Sequence, residues 1–257
     1  MGTVYRATRM ADGTEVALKV VRTELVDNPL YRRRFIQEAR AASGAQHPNL
    51  VNIVDVGEVD GRQFLVMPYL PGGTLQDRLE AGGPLPADEF VRIALELGGA
   101  LTALHEQGVV HRDVKPSNVI LSELDGRAAL SDFGLARGED YSRLTRAGAL
   151  VGTLDYLAPA RIRGDDATPA SDLYSLGCVL VECLSGEPPF GRRGPLQVGM
   201  AHLGEQPPDP LAERAEMPRE LSAAVLSALE KDPADRPLPA TAYAKRVQHA
   251  CASPAPT

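Results

Sequence analysis

Two short strings in the middle of the chain gather side chains that can manage anionic charge. His111-Arg112-Asp113-Val114-Lys115-Pro116-Ser117-Asn118 sets a carboxylate and an ammonium two positions apart, and Ser131-Asp132-Phe133-Gly134 follows after one short hairpin pattern. Asp132 and Asn118 carry hard oxygens of the kind Mg²⁺ favours, since that ion takes a few protein oxygens together with substrate phosphates rather than an all-protein cage. Far upstream, Val16-Ala17-Leu18-Lys19 puts an ammonium on an apolar strand, and Glu38 falls within a helical pattern. Singly, each residue has an ordinary reading: Lys19 as a surface strand lysine, Glu38 as part of a solvated helix face, Asp132 as a turn cap, Asn118 as a backbone-bonding amide. Only their combination carries weight.

The elements that must position these groups differ between the two ends of the chain. Thr3–Thr8 and Glu15–Val21 alternate with β-branched residues around Ala11-Asp12-Gly13 and read as a hairpin. Leu30–Ser43 has helical spacing with Gly44 as its stop. Two further strands, Leu50–Val56 and Gln63–Pro68, are joined through Asp60-Gly61, a favoured hairpin dipeptide. After Pro71-Gly72-Gly73, a linker signal, the patterns turn helical at Asp88–Gln107, Ala170–Ser185, Pro218–Glu230 and Pro239–Cys251. Between the first two of these helices, Gly108 to Ala158 is a long stretch rich in polar residues, and a loop of that length in a compact domain usually carries function.

Composition bounds the class. With 257 residues, 44% hydrophobic and 24% charged, the chain is ordinary globular material, large enough for two lobes or one big domain. A formal charge of −7 and a pI near 5.3 offer no basic footprint for nucleic acid. Three cysteines, two of them in an apolar helical pattern, point to a reduced, cytoplasmic setting. No apolar run reaches the ~18 residues that a membrane span needs, because Glu96, Asp172 or Glu182 interrupts the best candidates.

Taken in order, Val16-Ala17-Leu18-Lys19, His111 through Asn118, and Ser131 through Gly134 resemble the signature set of a eukaryotic-like bacterial serine/threonine protein kinase, from Gly2 to about Ala250. The resemblance implies an α+β, two-lobed fold: a small β-rich N-lobe with one helix over 1–69, a mainly helical C-lobe over 70–251, and a frayed tail over 252–257. It implies transfer of the γ-phosphoryl group of Mg-ATP to serine or threonine hydroxyls of protein substrates. Such chemistry asks mainly that the triphosphate be held, its charge neutralised and the nucleophile aligned. By this resemblance Lys19 binds the α- and β-phosphates with Glu38 pairing its ammonium, and Asn118 and Asp132 hold Mg²⁺. Asp113 orients the acceptor hydroxyl and Lys115 neutralises the transferring group. Gly2, Val4, Ala17 and Ile120 surround the nucleotide, with Met67 as gatekeeper and Pro68 and Leu70 meeting the adenine edge through backbone. Phe133 and Gly134 anchor and turn the metal-binding loop. His111 and Asp172 are structural. Thr145 is the phosphorylation candidate in the activation segment, its phosphate to be paired by Arg112, and Thr153 the threonine on the substrate side.

Two departures stand out. The family's phosphate-covering loop is glycine-rich, yet this chain opens Met1-Gly2-Thr3-Val4-Tyr5 and keeps only the final glycine. The resemblance implies a first strand and earlier glycines upstream of Met1, rather than a naturally shortened product. Ala158-Pro159-Ala160 replaces the family's Ala-Pro-Glu, whose glutamate pairs with an arginine that corresponds here to Arg236. These departures favour a pseudokinase scaffold as the alternative, with a small-molecule kinase of related fold as a more distant rival.

Overall fold

The computed structural model describes residues 2–21, 29–132 and 154–253. Strands β1 (Gly2–Thr8), β2 (Glu15–Val21), β3 (Asp55–Val59) and β4 (Arg62–Pro68) form an antiparallel sheet in the order β1-β2-β4-β3, with helix α1 (Pro29–Gly44) between β2 and β3 in the chain. Val4 lies opposite Lys19 in β2, and Ala17 opposite Met67 in β4. β1 approaches β2 closely at its start: a Cβ added to Gly2 would lie 2.1 Å from the Val20 carbonyl oxygen, so only glycine fits there. Asp60 (φ 51°) and Gly61 (φ 74°) both occupy the left-handed region, the backbone of the primed turn expected from Asp-Gly.

The strand expected over Leu50–Val56 begins only at Asp55. Leu50, Val51 and Ile53 are buried, and the backbone before β3 reaches the helical part: Val51 N–H donates to Leu130 O at 2.9 Å and Leu130 N–H to Asn49 O at 2.8 Å. The segment Leu50-Val51-Asn52-Ile53 serves as a seam between sheet and helices, burying Leu50, Val51 and Ile53 without the alternation of a half-exposed strand.

Beyond the sheet lie α2 (Leu75–Gly82), α3 (Ala87–Glu106), the two-stranded ribbon β5 (Val119–Leu121) and β6 (Ala128–Leu130), α4 (Pro159–Arg163), α5 (Pro169–Ser185), α6 (Pro195–Gly204), α7 (Arg219–Leu226) and α8 (Ala240–Cys251). The sheet-plus-helix beginning and mainly helical remainder are the α+β architecture expected. α5 is its axis. Thr168 and Ser171 form a capping box at its N-terminus, Pro169 occupies the first turn, and Gly186 ends it in the left-handed conformation. Nearly every side chain from Ala170 to Leu184 is buried, so the helix is covered all round, as a core helix must be, with Asp172 and Glu182 as its buried carboxyl groups. α3 packs against α5 and α8, and Gly98 makes the second contact close: a Cβ there would sit 2.7 Å from that of Ala244.

Helices α2, α4 and α6 have no counterpart in the sequence expectations. α2 follows directly on Pro71-Gly72-Gly73, where Thr74 and Asp77 make a capping box. In α6, Gly199 dilutes the apolar spacing on which a periodicity reading depends. Among the described residues no helix is long and apolar enough to cross a membrane.

Candidate active site

The loop before β5 carries most of the candidate groups, and a single buried carboxylate holds it in shape. Asp172, in the first turn of α5, accepts the His111 N–H at Oδ2 (2.7 Å) and the Arg112 N–H at Oδ1 (2.8 Å), while His105 Nε2 approaches Oδ2 at 2.9 Å. The clamp matters because Arg112 sits at φ 68°, a conformation that a non-glycine residue keeps only when its surroundings impose it. His111 is fully buried, and burial lowers its pKa so that the ring is neutral. Its Nε2 lies 2.9 Å from the Ser131 carbonyl, which can only accept, so Nε2 carries the proton and Nδ1 receives the Asp113 N–H at 3.3 Å.

His111 thereby ties this loop to the residue before Asp132. The tie is doubled on the other side, where the Ser131 N–H and hydroxyl both donate to Asn118 O, at 2.8 and 2.9 Å. Asn118 Nδ2 donates to the Asp113 carbonyl (2.7 Å) and to Asp113 Oδ2 (3.0 Å), and Lys115 Nζ lies 3.1 Å from the same oxygen. Asp132 is again at positive φ, 60°. Its Oδ1 meets Lys19 Nζ at 2.9 Å, with Lys19 buried on β2. Two groups thus meet across sheet and loop, Lys19 with Asp132 and Asn118 with Asp113 and Lys115, joined through Ser131, which precedes Asp132 and donates to Asn118 O.

An apolar patch adjoins it. Val51, Met67 and Ala129 form a small buried cluster, against which Ala17, Leu70 and Ile120 pack. Four expected nucleotide neighbours are therefore together, with Pro68 next to Met67 and paired in register with Val16. Val4 is 51% exposed on β1, opposite Lys19, and Gly2 lies two positions along the same strand.

One expected contact is absent. Glu38 was expected to pair with Lys19, but both its carboxylate oxygens accept from Arg112 Nη1, at 3.0 and 2.8 Å. α1 presents Glu38 to the loop arginine, and Asp132 takes up the Lys19 ammonium in its place. Arg236, left without a glutamate at position 160, is buried and donates to the carbonyls of Glu230, Ala170 and Lys231. Phe133, Gly134, Thr145 and Thr153 lie outside the described residues.

Several positioning groups escape a sequence reading. His105, which meets Asp172, belongs to no string that would single it out. Tyr156 donates its hydroxyl to Glu182 Oε2 at 2.6 Å, and Ser175 Oγ donates to the Tyr156 carbonyl at 2.6 Å. Burial raises the Glu182 carboxyl to about 7. In the sequence Glu182 is merely an interruption of an apolar run.

The donor set suits Mg²⁺. Both hydrogen bonds that the Asn118 amide makes use Nδ2, so Oδ1 is the end with the right chemistry for a cation, and Asp132 adds a carboxylate. Among the described residues no group of three or more His, Cys, Asp or Glu could hold a metal ion. A magnesium that arrives with phosphates does not require one.

The sheet, the helical body and this network between them define a kinase-type site, and residues 1–249 match the family model described as protein kinase domain. The chain belongs to that family. It is 38% identical over 241 residues to serine/threonine-protein kinase PknB of Mycobacterium leprae (strain TN), covering 92% of this chain and 39% of the relative. It is 40% identical over 236 residues to serine/threonine-protein kinase PknH of Mycobacterium bovis, covering 92% and 39%. The chain therefore spans about two-fifths of the length of these relatives. The crystal structure of the Mycobacterium tuberculosis PknI kinase domain superposes with a TM-score of 0.78 at 29% identity, over 97% of this chain and 91% of that one. That of Rad53 in complex with AMP-PNP does so at 0.79 and 25%, over 96% and 62%.

Proposed function

We propose that this chain transfers the γ-phosphoryl group of Mg-ATP to serine or threonine hydroxyls of protein substrates. The observation that carries the reading is that Lys19 paired with Asp132 and Asn118 bonded with Asp113 and Lys115 are held side by side through the Ser131–Asn118 hydrogen bonds. Lys19 holds the α- and β-phosphates, Asn118 and Asp132 hold the metal, and Asp113 aligns the acceptor hydroxyl and takes its proton late. Lys115 balances the charge on the transferring group. Bound Mg²⁺ supplies neutralisation of phosphate charge. The apolar patch around Met67, Ala17 and Ile120 receives the adenine ring, with the Pro68 carbonyl and Leu70 amide at its edge. Leu70 has the N–H that Pro68 lacks, and a carbonyl at 68 suffices for the other contact. We place this activity in the cytoplasm, where ATP is abundant and the free cysteines stay reduced.

Incubation with Mg-[γ-³²P]ATP and myelin basic protein tests the reading. Label should appear on serine or threonine and fall by ~10²-fold or more in Asp113→Asn and Lys19→Met proteins. Phosphate on Thr145 is expected in protein expressed with ATP present, and Asp113→Asn protein that carries the same phosphate when expressed alone would refute autophosphorylation.

A pseudokinase scaffold is the second reading, favoured by Glu38 being bound to Arg112 and by Ala160. Magnesium-dependent ATP binding without transfer at any enzyme concentration selects it. Transfer to small alcohols with none to protein selects a small-molecule kinase.

A further inference from the structure

The stretch from Leu154 to Pro159 enters the helical body through a 3₁₀ turn, Leu154–Tyr156, and is fastened there by side chains. A glutamate at 160 would tie it to Arg236, and alanine cannot. Arg236 nonetheless stays connected to the stretch by another route. Its guanidinium lies over the Tyr174 ring, 4.9 Å from the centroid. The Tyr174 hydroxyl is 2.8 Å from His202 Nδ1, and His202 Nε2 is 3.1 Å from the Asp155 carbonyl. Since a carbonyl only accepts, Nε2 carries the ring proton and Nδ1 accepts from the tyrosine.

His202 is fully buried on α6, edge-on to Phe190 and Tyr174 at 4.9 and 5.6 Å. Burial brings its pKa down to about 4, so the neutral tautomer with one donor and one acceptor persists at physiological pH. Tyr174 meets only the acceptor Nδ1, which leaves the Nε2–H donor to be placed elsewhere. His202 directs it to the backbone of residue 155, two positions beyond Thr153.

We infer that His202 is a positioning residue for protein-substrate binding: through the Arg236–Tyr174–His202 relay it fixes the Asp155 backbone and stands in for the carboxylate missing at position 160. The role in substrate binding rests on the kinase reading above; the tether itself does not.

The test compares the wild-type chain with His202→Phe, which keeps a ring but removes both hydrogen bonds, with His202→Gln, whose amide can still donate to Asp155, and with His202→Phe combined with Ala160→Glu. KM for myelin basic protein, KM for ATP and amide hydrogen exchange are measured. His202→Phe is expected to raise the protein KM fivefold or more while the ATP KM stays within twofold, and to speed exchange at residues 155–158 at least tenfold with α3 and α5 unchanged. His202→Gln and the added Ala160→Glu should each restore most of both. Unchanged protein KM and unchanged exchange at 155–158 in a folded His202→Phe protein would overturn the inference. So would an ATP KM and exchange in α3 and α5 that rise in parallel, the mark of an ordinary core residue, or a failure of Ala160→Glu to restore anything. If the wild-type chain labels no protein, the kinase reading fails, and exchange at 155–158 decides the tether alone.

Discussion

Replacing Asp172 by alanine should be the most damaging single change outside the charged network itself, and its size follows from the contacts. The carboxylate is 1% exposed and has three donors within 2.9 Å: two backbone N–H groups and His105 Nε2. Hydrogen bonds to a charged acceptor are worth ~1.5–3 kcal/mol each, and a buried donor left unmatched costs ~1–3 kcal/mol. Because the alanine variant strands the N–H groups of both His111 and Arg112, a loss of about 4 kcal/mol is expected, within the range for breaking a buried charged network. For a domain of this size, ~2–4 °C of melting temperature goes with each kcal/mol, so the midpoint should fall by roughly 10 °C. The two N–H bonds also hold Arg112 at φ 68°, and Asp113 is its neighbour. Once released, the loop relaxes toward ordinary backbone angles and carries Asp113 away from Asn118, so turnover should fall further than the lost stability alone accounts for. Urea unfolding followed by circular dichroism gives the first quantity and phosphate transfer the second. Asp172→Asn keeps the shape and one acceptor oxygen, and should lose about half as much stability. A folded Asp172→Ala protein within ~1 kcal/mol of wild type would show that the clamp does not bear on the loop in the way its geometry implies.

Glu182 makes stability depend on pH. Its folded pKa of about 7 lies above the ordinary carboxylate value, so the folded state binds the proton more tightly. Stability is then fullest below the unfolded pKa of about 4.3 and is lost progressively as pH rises from there through 7, by ~4 kcal/mol in all at ~1.4 kcal/mol per unit. Urea midpoints at pH 5 and pH 8 should show that decline in wild type and a flatter response in Glu182→Gln; equal slopes would contradict the burial argument. Glu38→Gln should cost under ~1 kcal/mol, because both partners of the Glu38–Arg112 pair are about a third exposed, yet reduce turnover tenfold or more if Glu38 must reach Lys19 during transfer. Unchanged turnover would assign Glu38 no part in it. Gly177→Ala would put a methyl 2.4 Å from Leu229 Cδ1 and 2.9 Å from Ala228 Cβ in a fully packed core, costing ~1–3 kcal/mol by overpacking. A calorimetric scan that shows no loss would mean that the turn at Ser227–Leu229 yields easily.

The sheet hairpins and the long helices were legible because each depends on local chemistry. Asp60-Gly61 needs two left-handed residues, and the α5 pattern is apolar at every turn after Asp172. What escaped was set by distant partners. Leu50–Ile53 looks like a strand because Val51 and Ile53 are β-branched and only Asn52 is polar, yet those properties also suit a seam, and only the presence of Asn49 and Leu130 on facing segments decides between the two. α2 and α6 are short. In helices of that length, the Thr74 cap or a proline in the first turn such as Pro195 outweighs periodicity, and a reading based on spacing passes over them. Asp172 could be named only by resemblance, and His105 could not be named at all, because the bond between them joins α3 to α5 across the chain.

The charged network shows the same limit in a sharper form. Sequence spacing brings Lys19, Glu38, Arg112 and Asp132 to one region, two cations and two carboxylates, but any pairing of unlike charges among them balances equally well. The pairs observed, Lys19 with Asp132 and Glu38 with Arg112, differ from the expected Lys19–Glu38 pair only in partner. The Glu38–Arg112 pair is partly exposed and worth at most ~1 kcal/mol, and buried Lys19 needs a carboxylate partner but Glu38 and Asp132 offer it the same charge, so residue identity does not favour one arrangement. The choice falls instead to backbone placement: the position of α1 relative to the loop, and the positive φ at Arg112 and Asp132 that aims each side chain. Neither is written in residue types, since arginine and aspartate are not residues that advertise a left-handed conformation the way glycine does. Which groups meet in the cleft was therefore readable from the motifs, whereas which of them hold one another depends on strain that only the assembled backbone can impose.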